Sequence, residues 1–207
     1  IKTLGSTVWI ASGGSKARVL KSTDYGKTWQ IFETPIIQGT GPQGIYSIDF
    51  YNENNGIIIG GDYSEPLENK ANKAITTDGG KTWTLVADKE NPNYKSCVQY
   101  VPNTNGQEVF AVGKTGISFS NNGGITWKEV SKDAYYAIQF LDKNTAWLSG
   151  HEKVEKLKEL WGKGSTASQI AEIIGGISRN AVIGKAHRLN LSSKIKTRNT
   201  SSSQDFE

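Results

Sequence analysis

The residues best suited to bind a ligand lie in a short polar and cationic stretch near the end of the 207-residue chain. Asparagine can form paired hydrogen bonds with adenine, arginine can do so with guanine, and lysine can bind phosphate. The predicted DNA-contacting residues are Arg179, Asn180, Ala181, Gly184, Lys185, His187, Arg188, Lys194 and Lys196. Gly184 would let the backbone approach DNA, or else is a weak point in a helix. His187 is equally consistent with a solvated surface histidine.

The positive charge of the protein is concentrated around these residues. Residues 1–150 carry 14 Lys and Arg against 14 Asp and Glu, whereas residues 151–207 carry 10 against 6. No acidic residue lies between Glu172 and Asp205. This asymmetry favours a polyanionic partner, although a solvated basic surface with a flexible tail would give the same count. Together with the residue types, it predicts double-stranded DNA as the partner.

Hydrophobic periodicity predicts two short helices ahead of the basic stretch. The inward face of the first helix is formed by Val154, Leu157, Leu160 and Trp161. Gly162 and Gly164 end this helix. Residues Thr166–Gln169 form a capping box that opens the second helix. The predicted inward residues of the second helix are Ile170, Ile173 and Ile174.

A third predicted helix carries the basic stretch itself. Gly175 and Gly176 form a tight turn, and Ser178 caps a helix that runs to about Asn190. Its core side is formed by Val182, Ala186 and Leu189, with Ile183 at the edge. Opposite this side lie Asn180, Ala181, Gly184, His187 and Arg188, with Lys185 on the flank. Three short helices with a glycine turn between the last two are typical of a helix-turn-helix domain.

An octet of residues recurs three times in the first 150 residues. The copies begin at Ser22, Thr76 and Ser120, which are 54 and 44 residues apart. Asp or Asn at the third position can fold a turn, and Gly at the fifth tolerates positive φ. Trp at the eighth position is expected to pack as core. The predicted structural residues are Asp24, Gly26, Trp29, Asp78, Gly80, Trp83, Asn122, Gly124 and Trp127.

The octets lie among short runs of alternating apolar residues, which predict β-strands. Octet spacing and strand number are typical of four-stranded propeller blades. Residues 7–33 supply about three strands, residues 45–87 and 97–130 supply one blade each, and residues 135–150 supply two strands. The fold class is therefore multi-domain: an all-β partial propeller of about three blades, not closed, followed by an all-α three-helix domain. The predicted boundaries are 1–150, 151–191, and a disordered tail at 192–207.

Composition argues against several other classes of site. Cys97 is the only cysteine, and His151 and His187 are the only histidines, so no disulfide, metal site or cofactor is predicted. No apolar run approaches the ~20 residues of a membrane span, so no membrane partner is expected.

The octets resemble the Asp-box (BNR) repeat of sialidase-like and photosystem II assembly-factor-like propellers. The resemblance covers residues 7–150, with Asn122 replacing the usual Asp in the third copy. It implies an exported protein in which the repeat is structural. A sialidase would also need three arginines, whereas residues 1–150 contain only Arg18, so no catalytic residue is predicted. A non-enzymatic module that binds a protein or glycan stays open as an alternative.

Residues 152–192, and above all Ser178–Leu189, resemble the DNA-binding domain of the GcrA family of bacterial cell-cycle regulators. The resemblance implies a cytoplasmic, nucleoid-associated regulator that reads promoter sites containing methylated adenine. It also implies a partnership with the RNA polymerase sigma factor through a separate C-terminal domain, for which residues 192–207 offer no counterpart. Because the predicted junction falls inside a blade, an artificial join of two proteins is favoured over a natural fusion.

Overall fold

The computed structural model describes residues 1–150, 152–174 and 178–191. The chain divides into two compact units, Ile1–His151 and Glu152–Glu207. We call these the sheet unit and the helical unit, and each is described by itself. The predicted turn at Gly175 and Gly176, and the predicted contacts Lys194 and Lys196, lie outside the described residues.

The sheet unit contains four antiparallel sheets in chain order. The first is formed by β1 (Lys2–Leu4), β2 (Thr7–Ala11), β3 (Arg18–Ser22) and β4 (Gln30–Glu33). The second is formed by β5 (Gln43–Phe50), β6 (Gly56–Asp62), β7 (Lys73–Thr76) and β8 (Thr84–Leu85). The third is formed by β9 (Cys97–Tyr100), β10 (Val109–Gly113), β11 (Gly116–Ser120) and β12 (Lys128–Ser131). The fourth has two strands, β13 (Ala137–Asp142) and β14 (Thr145–Ser149).

This topology confirms the predicted fold class, three blades and the start of a fourth. Strands pair in sequence order within every sheet, and among the described residues β14 does not pair with the first sheet. The first sheet has four strands rather than the predicted three, because residues Lys2–Leu4 pair with Thr7–Trp9. A three-residue strand shows too little alternation to be recognised in the sequence.

The core of the sheet unit is built around β6, whose residues Gly56–Asp62 are all buried. Ile58 packs with residues of the first and second sheets, whereas Ile57 and Ile59 pack with the third. Successive side chains of a strand point to opposite faces, so one run of isoleucines serves two neighbours. Burial of apolar surface contributes about 25 cal/mol per Å² to folding. Because the isoleucines of this strand are buried, they are a main source of stability for the second sheet.

An aromatic stack joins the first and second sheets. The ring centroids of Trp9 and Phe50 lie 3.9 Å apart in a stacked arrangement, and Trp83 meets the Phe50 ring edge-on at 6.0 Å. The Trp9 indole also donates a 2.9 Å hydrogen bond to the carbonyl of Gly79 in the second octet. The first sheet is thus held to the second by both ring contact and a buried hydrogen bond.

Two glycines bring the backbones of these sheets together. Gly13 and Gly44 form an isolated antiparallel bridge. A Cβ atom added at Gly44 would lie 2.2 Å from the Gly13 Cα, and Gly44 has a φ of +138°. Any other residue at Gly44 would therefore clash with backbone and strain its own conformation.

The first two octets fold in the same way. In the first, the Asp24 carboxylate accepts hydrogen bonds from the amides of Lys27 and Thr28, both at 2.9 Å, and from the Thr28 hydroxyl at 2.7 Å. In the second, the Asp78 carboxylate accepts from the Thr82 amide at 2.9 Å and the Thr82 hydroxyl at 2.7 Å. In both octets the carboxylate thus holds the turn by accepting hydrogen bonds from residues three or four positions further on, as the sequence predicts.

The third octet keeps the turn without a charge. The Asn122 Oδ1 accepts from the Thr126 amide at 2.9 Å, as the aspartates do at their equivalent residues. Its amide Nδ2 donates to the Thr126 hydroxyl at 2.8 Å, which reverses the direction of that bond. Asparagine therefore preserves the connectivity of the turn because the threonine hydroxyl can accept as well as donate.

The tryptophans of the octets differ in burial. Trp83 is 9% exposed against the first sheet, and Trp127 is partly buried against residues of the second. The prediction that Trp29 belongs to the core is wrong, because this side chain is 38% exposed. The rings of Trp83 and Trp127 each rest on the preceding sheet, and among the described residues no sheet precedes that of Trp29. Its indole still donates to the Gly26 carbonyl at 2.9 Å.

Two lysines are enclosed in the sheet unit. Lys73 is 0% exposed, and its ammonium donates to the Asn72 side chain and the carbonyls of Glu90 and Pro92 at 2.8–3.0 Å. Lys95 is 1% exposed and donates to the Thr115 hydroxyl at 2.8 Å. Desolvation lowers the pKa of each ammonium to about 8. Oxygen ligands thus replace the lost water around both charges.

The helical unit contains α1 (Glu152–Gly162), α2 (Ala167–Ile174) and α3 (Arg179–Arg188). The three predicted helices are therefore all present among the described residues. No helix of the described residues is long and apolar enough to cross a membrane.

Replacing Trp83 by Ala should destabilise the sheet unit by about 3–5 kcal/mol, because a buried indole leaves a cavity. The same change at Trp29 should cost about 1 kcal/mol or less, since that ring is largely solvated. Both variants lose the equivalent indole hydrogen bond to glycine, so the difference reports burial alone. Urea unfolding followed by near-ultraviolet circular dichroism measures it, and equal losses would contradict this view of the octets.

The Asp78→Asn variant should fold and should lose less stability in acid than the parent chain. Partial burial alone would raise the pKa of the Asp78 carboxyl, but hydrogen bonds from Thr82, Thr76 and Lys81 outweigh it and lower the pKa to about 2 from 3.8. A carboxyl with a lowered folded pKa stabilises the fold above pH 4, and this contribution fades as the pH falls towards 2.

The measurement is the free energy of unfolding at pH 6 and pH 3 for both chains. The Asn variant copies the third octet, so it isolates the charge from the turn. An unchanged difference between the two pH values would show that the Asp78 hydrogen bonds do not govern the acid response.

Candidate nucleic-acid interface

The helical unit has a small core that fixes α3. Its buried residues are Leu157, Leu160, Trp161, Ile170, Val182 and Ala186. The predicted inward residues of α1 and α3 with described side chains are confirmed, with Leu189 partly buried beside them. The side chain of Val154 lies outside the described residues. Two residues of α3, one turn apart, therefore anchor that helix against α1 and α2.

One predicted core residue of α2 is wrong. Ile173 is 56% exposed, whereas Ile170 is fully buried and Ile174 partly so. At about 100° per residue, Ile173 lies roughly 110° from the middle of the face that Ala167, Ile170, Ala171 and Ile174 form. An apolar pair at adjacent positions cannot place both side chains on the centre of one face.

Both predicted helix starts are confirmed. The Thr166 amide donates to Gln169 Oε1 at 2.9 Å, and the Gln169 amide donates back to the Thr166 hydroxyl at 3.3 Å, which is a reciprocal capping box. At α3, Ser178 has extended backbone angles and its hydroxyl accepts from the Ala181 amide at 3.2 Å. These bonds satisfy amides that a helix start leaves without a partner.

The exit of α3 is tied to α1 by a tryptophan. The Trp161 indole donates a 2.7 Å hydrogen bond to the carbonyl of Leu191. Asn190 is exposed, with a φ of +53°, and ends the helix in the left-handed conformation. The sequence predicts that the helix runs to about Asn190 and does not predict Asn190 as the residue that ends it. Asn after the last helical residue is nevertheless a known end signal.

Most of the predicted contact residues on α3 share one solvent-facing side. Arg179, Asn180, Ala181, His187 and Arg188 are exposed, and Gly184 and Lys185 are half-buried. Asn180, Ala181, Gly184, His187 and Arg188 lie on the side opposite the buried Val182 and Ala186, whereas Arg179 and Lys185, each three residues from Val182, lie at the flanks of the buried face.

α3 carries no acidic residue, and its charged side chains are all basic. The first turn of α3 has no acidic residue, and its last turn carries Lys185, His187 and Arg188. Cations at a helix C-terminus are favoured by the helix dipole, so the charges of Lys185 and Arg188 stabilise α3 as well as create a positive surface. Such a surface raises the association rate with polyanions.

Gly184 lies in the middle of this face. An added Cβ would meet only the Arg188 Nη1, at 3.6 Å, which is ordinary van der Waals contact. No packing constraint within the described protein therefore demands glycine here, even though glycine costs a helix about 1 kcal/mol relative to alanine.

Metal-binding side chains and the arginine of the sheet unit bear on whether the chain holds a catalytic site. No three His, Cys, Asp or Glu side chains gather in a metal-binding group among them. Arg18, the arginine of the sheet unit, pairs with Glu33 at 2.9 Å. That the sheet unit is not catalytic stays a prediction.

Comparison with known families bears on both units. Residues 146–205 match the family model of the GcrA cell cycle regulator. This match extends beyond the predicted range of 152–192 and indicates a transcription-regulator domain. Residues 74–85, which contain the second octet, match the BNR/Asp-box repeat. The predicted resemblances are confirmed for both units.

Several solved structures are similar to the chain at low identity. A GH74 enzyme of Niastella koreensis is 19% identical with a TM-score of 0.48, over 65% of this chain and 22% of that one. YCF48 bound to D1 peptide is 21% identical with a TM-score of 0.44, over 63% and 40%. YCF48 from Cyanidioschyzon merolae is 12% identical with a TM-score of 0.37, over 70% and 64%.

The chain therefore spans about a fifth of the length of the GH74 enzyme and less than two thirds of each YCF48 structure. No curated protein sequence matches the chain.

Proposed function

We propose that the helical unit binds double-stranded DNA with α3 in the major groove and acts as a promoter-recognising transcription regulator. The observation that carries this proposal is the side of α3 opposite Val182 and Ala186, which is exposed, polar and cationic. Helix-turn-helix proteins present their recognition helix to the major groove in this way.

The residue types on α3 divide into those that read bases and those that hold the backbone. Asn180 can pair with the N6 and N7 edge of adenine, and Arg188 with the O6 and N7 edge of guanine. Arg179, beside the capped helix start, and Lys185, on the half-buried flank, are suited to phosphates. Lys194 and Lys196 would extend the phosphate contacts.

The family match supports two finer parts of the proposal. By resemblance to that family, the recognised sites would contain methylated adenine and the regulator would work in the nucleoid, whereas a partnership with the sigma factor of RNA polymerase needs the separate domain for which residues 192–207 offer no counterpart. An adenine N6-methyl group lies in the major groove, where Ala181 and Gly184 would leave room for it on the exposed side of α3.

The first test is binding of the full chain to methylated and unmethylated duplexes across a salt series. The logarithm of the association constant should fall linearly with the logarithm of the salt concentration, with a slope of about −0.9 for each phosphate neutralised. The methylated duplex should bind more tightly at every salt concentration. Fluorescence anisotropy measures both, and salt-independent binding would contradict DNA recognition by this basic face.

Arg188→Ala should weaken binding to a specific duplex by between about fivefold and 150-fold, since one paired base contact is worth ~1–3 kcal/mol. Lys143→Ala removes the same charge from an exposed turn of the sheet unit and serves as the matched control. Equal effects of both changes would show that only net charge matters, which excludes a base-reading role for Arg188.

Gly184→Ala separates stability from recognition. Alanine should stabilise α3 by up to about 1 kcal/mol, because the structure leaves space for its Cβ. The methyl group should nevertheless weaken DNA binding if the backbone approaches the groove there. Thermal unfolding at 222 nm and anisotropy report the two effects, and a simultaneous gain in stability and affinity would refute close approach at Gly184.

A further inference from the structure

A cleft of about 430 Å³ lies between the second and third sheets, on the side of the octet turns. Four chain segments form it: the turn between β5 and β6, the turn between β9 and β10, and the second and third octets. Its volume falls within the range of small-molecule sites. The segments are far apart in the sequence, so no motif marks the cleft.

The lining of this cleft is uncharged. Asp, Glu, Lys and Arg make up 21% of the chain, yet none of them is among the described lining residues. Amide side chains dominate instead: Asn52, Asn55, Asn105, Gln107 and Asn122. A phosphate or carboxylate ligand would find no cation here, and a cationic ligand would find no carboxylate. The lining therefore favours a neutral ligand rich in hydrogen-bonding groups.

The amides are held in place while part of their capacity stays unused. Asn52 Oδ1 accepts from the amides of Asn54 and Asn55 at 3.0 and 2.7 Å and from the Asn55 side chain at 3.0 Å. Within the described part of the chain, its own Nδ2 makes no hydrogen bond to protein. The Gln107 side chain, which is exposed, likewise makes none there. A planar amide can donate and accept at once, which matches a sugar hydroxyl.

A tyrosine forms one wall of the cleft. Tyr51 is 37% exposed, its ring centroid lies 6.1 Å from that of Tyr100, and its hydroxyl reaches Asn105 Oδ1 at 3.4 Å. Gly106 packs against the Tyr51 ring so closely that an added Cβ would lie 2.9 Å from its Cδ1. The ring is thus fixed, with an apolar face and a polar edge turned toward the same space.

We propose that this cleft binds a neutral carbohydrate. Sugar rings carry hydroxyls that donate and accept, and they carry C–H faces that pack on aromatic rings. The amides of Asn52, Asn105 and Gln107 serve the hydroxyls, and the ring of Tyr51 serves a sugar face. Because no cation is among the described lining residues, neutral sugars should bind this cleft in preference to sialic acid and uronic acid polymers.

The test uses the full chain and tetrasaccharides of glucose, mannose, xylose and N-acetylglucosamine, with a galacturonate oligomer as the acidic comparison. Saturation-transfer NMR finds binders at millimolar concentrations, and calorimetry then measures the affinity. At least one neutral oligosaccharide should bind, and the galacturonate oligomer should not. Failure of the whole neutral panel, or equal binding of galacturonate, would overturn the proposal.

Substitutions of lining residues test whether the ligand binds in this cleft. Tyr51→Ala should reduce the association constant at least tenfold, and Thr77→Trp, at an exposed position of the lining, should do the same by filling the space. Tyr25→Ala, at a tyrosine that is 76% exposed in the first octet, is the matched control and should bind as the parent does.

Thermal unfolding of each variant checks the fold, and Gln107→Ala, at a second exposed lining position, stands in for either variant that does not fold. Unchanged binding by Thr77→Trp would show that the sugar lies elsewhere. A drop in the Tyr25→Ala control equal to that of Tyr51→Ala would equally overturn the assignment. Neither result bears on DNA binding by α3.

Discussion

The sheet unit depends on the desolvation of one strand from both sides. Ile58 of β6 packs toward the first sheet, and Ile57 and Ile59 pack toward the third. A four-stranded sheet covered on one face would leave half of this strand in water. The second sheet therefore needs both neighbours, and the neighbours in turn gain their largest apolar contact from it. The cleft between the second and third sheets is a consequence of that stacking.

The helical unit reaches order by a different balance. Its helices contain 11, 8 and 10 residues, and helices of that length are marginal in water by themselves. Tertiary packing and caps must supply what length does not, and a core of six buried residues with two capped starts does so. Because Val182 and Ala186 suffice to anchor α3, the rest of that helix is free to be cationic.

Local chemistry explains which parts of the structure could be predicted from the sequence. The octet turns depend on residues within four positions of each other, so the sequence alone predicts the turn-forming roles of Asp78 and Asn122. The caps at Thr166 and Ser178 are equally local. Burial depends on distant neighbours, which is why Trp29 and Ile173 were assigned to the core wrongly.

The same limit applies to binding sites. The face of α3 is one helix, so periodicity alone gathers its residues. The amide-lined cleft draws on turns separated by up to about seventy positions, and Asn52 and Gln107 have no sequence signal that unites them. Sites built by one element can be found by spacing, whereas sites built between sheets need coordinates.

Chemical labelling of the two enclosed lysines would report when the sheet unit opens. An amine-reactive reagent cannot reach Lys73 or Lys95 in the closed state, because Lys73 is 0% exposed and Lys95 is 1% exposed. Acylation at either residue therefore requires a transient loss of the surrounding loops. Lys73 belongs to the second sheet and Lys95 leads into the third, so comparing their labelling rates would resolve whether adjacent blades separate together or one at a time.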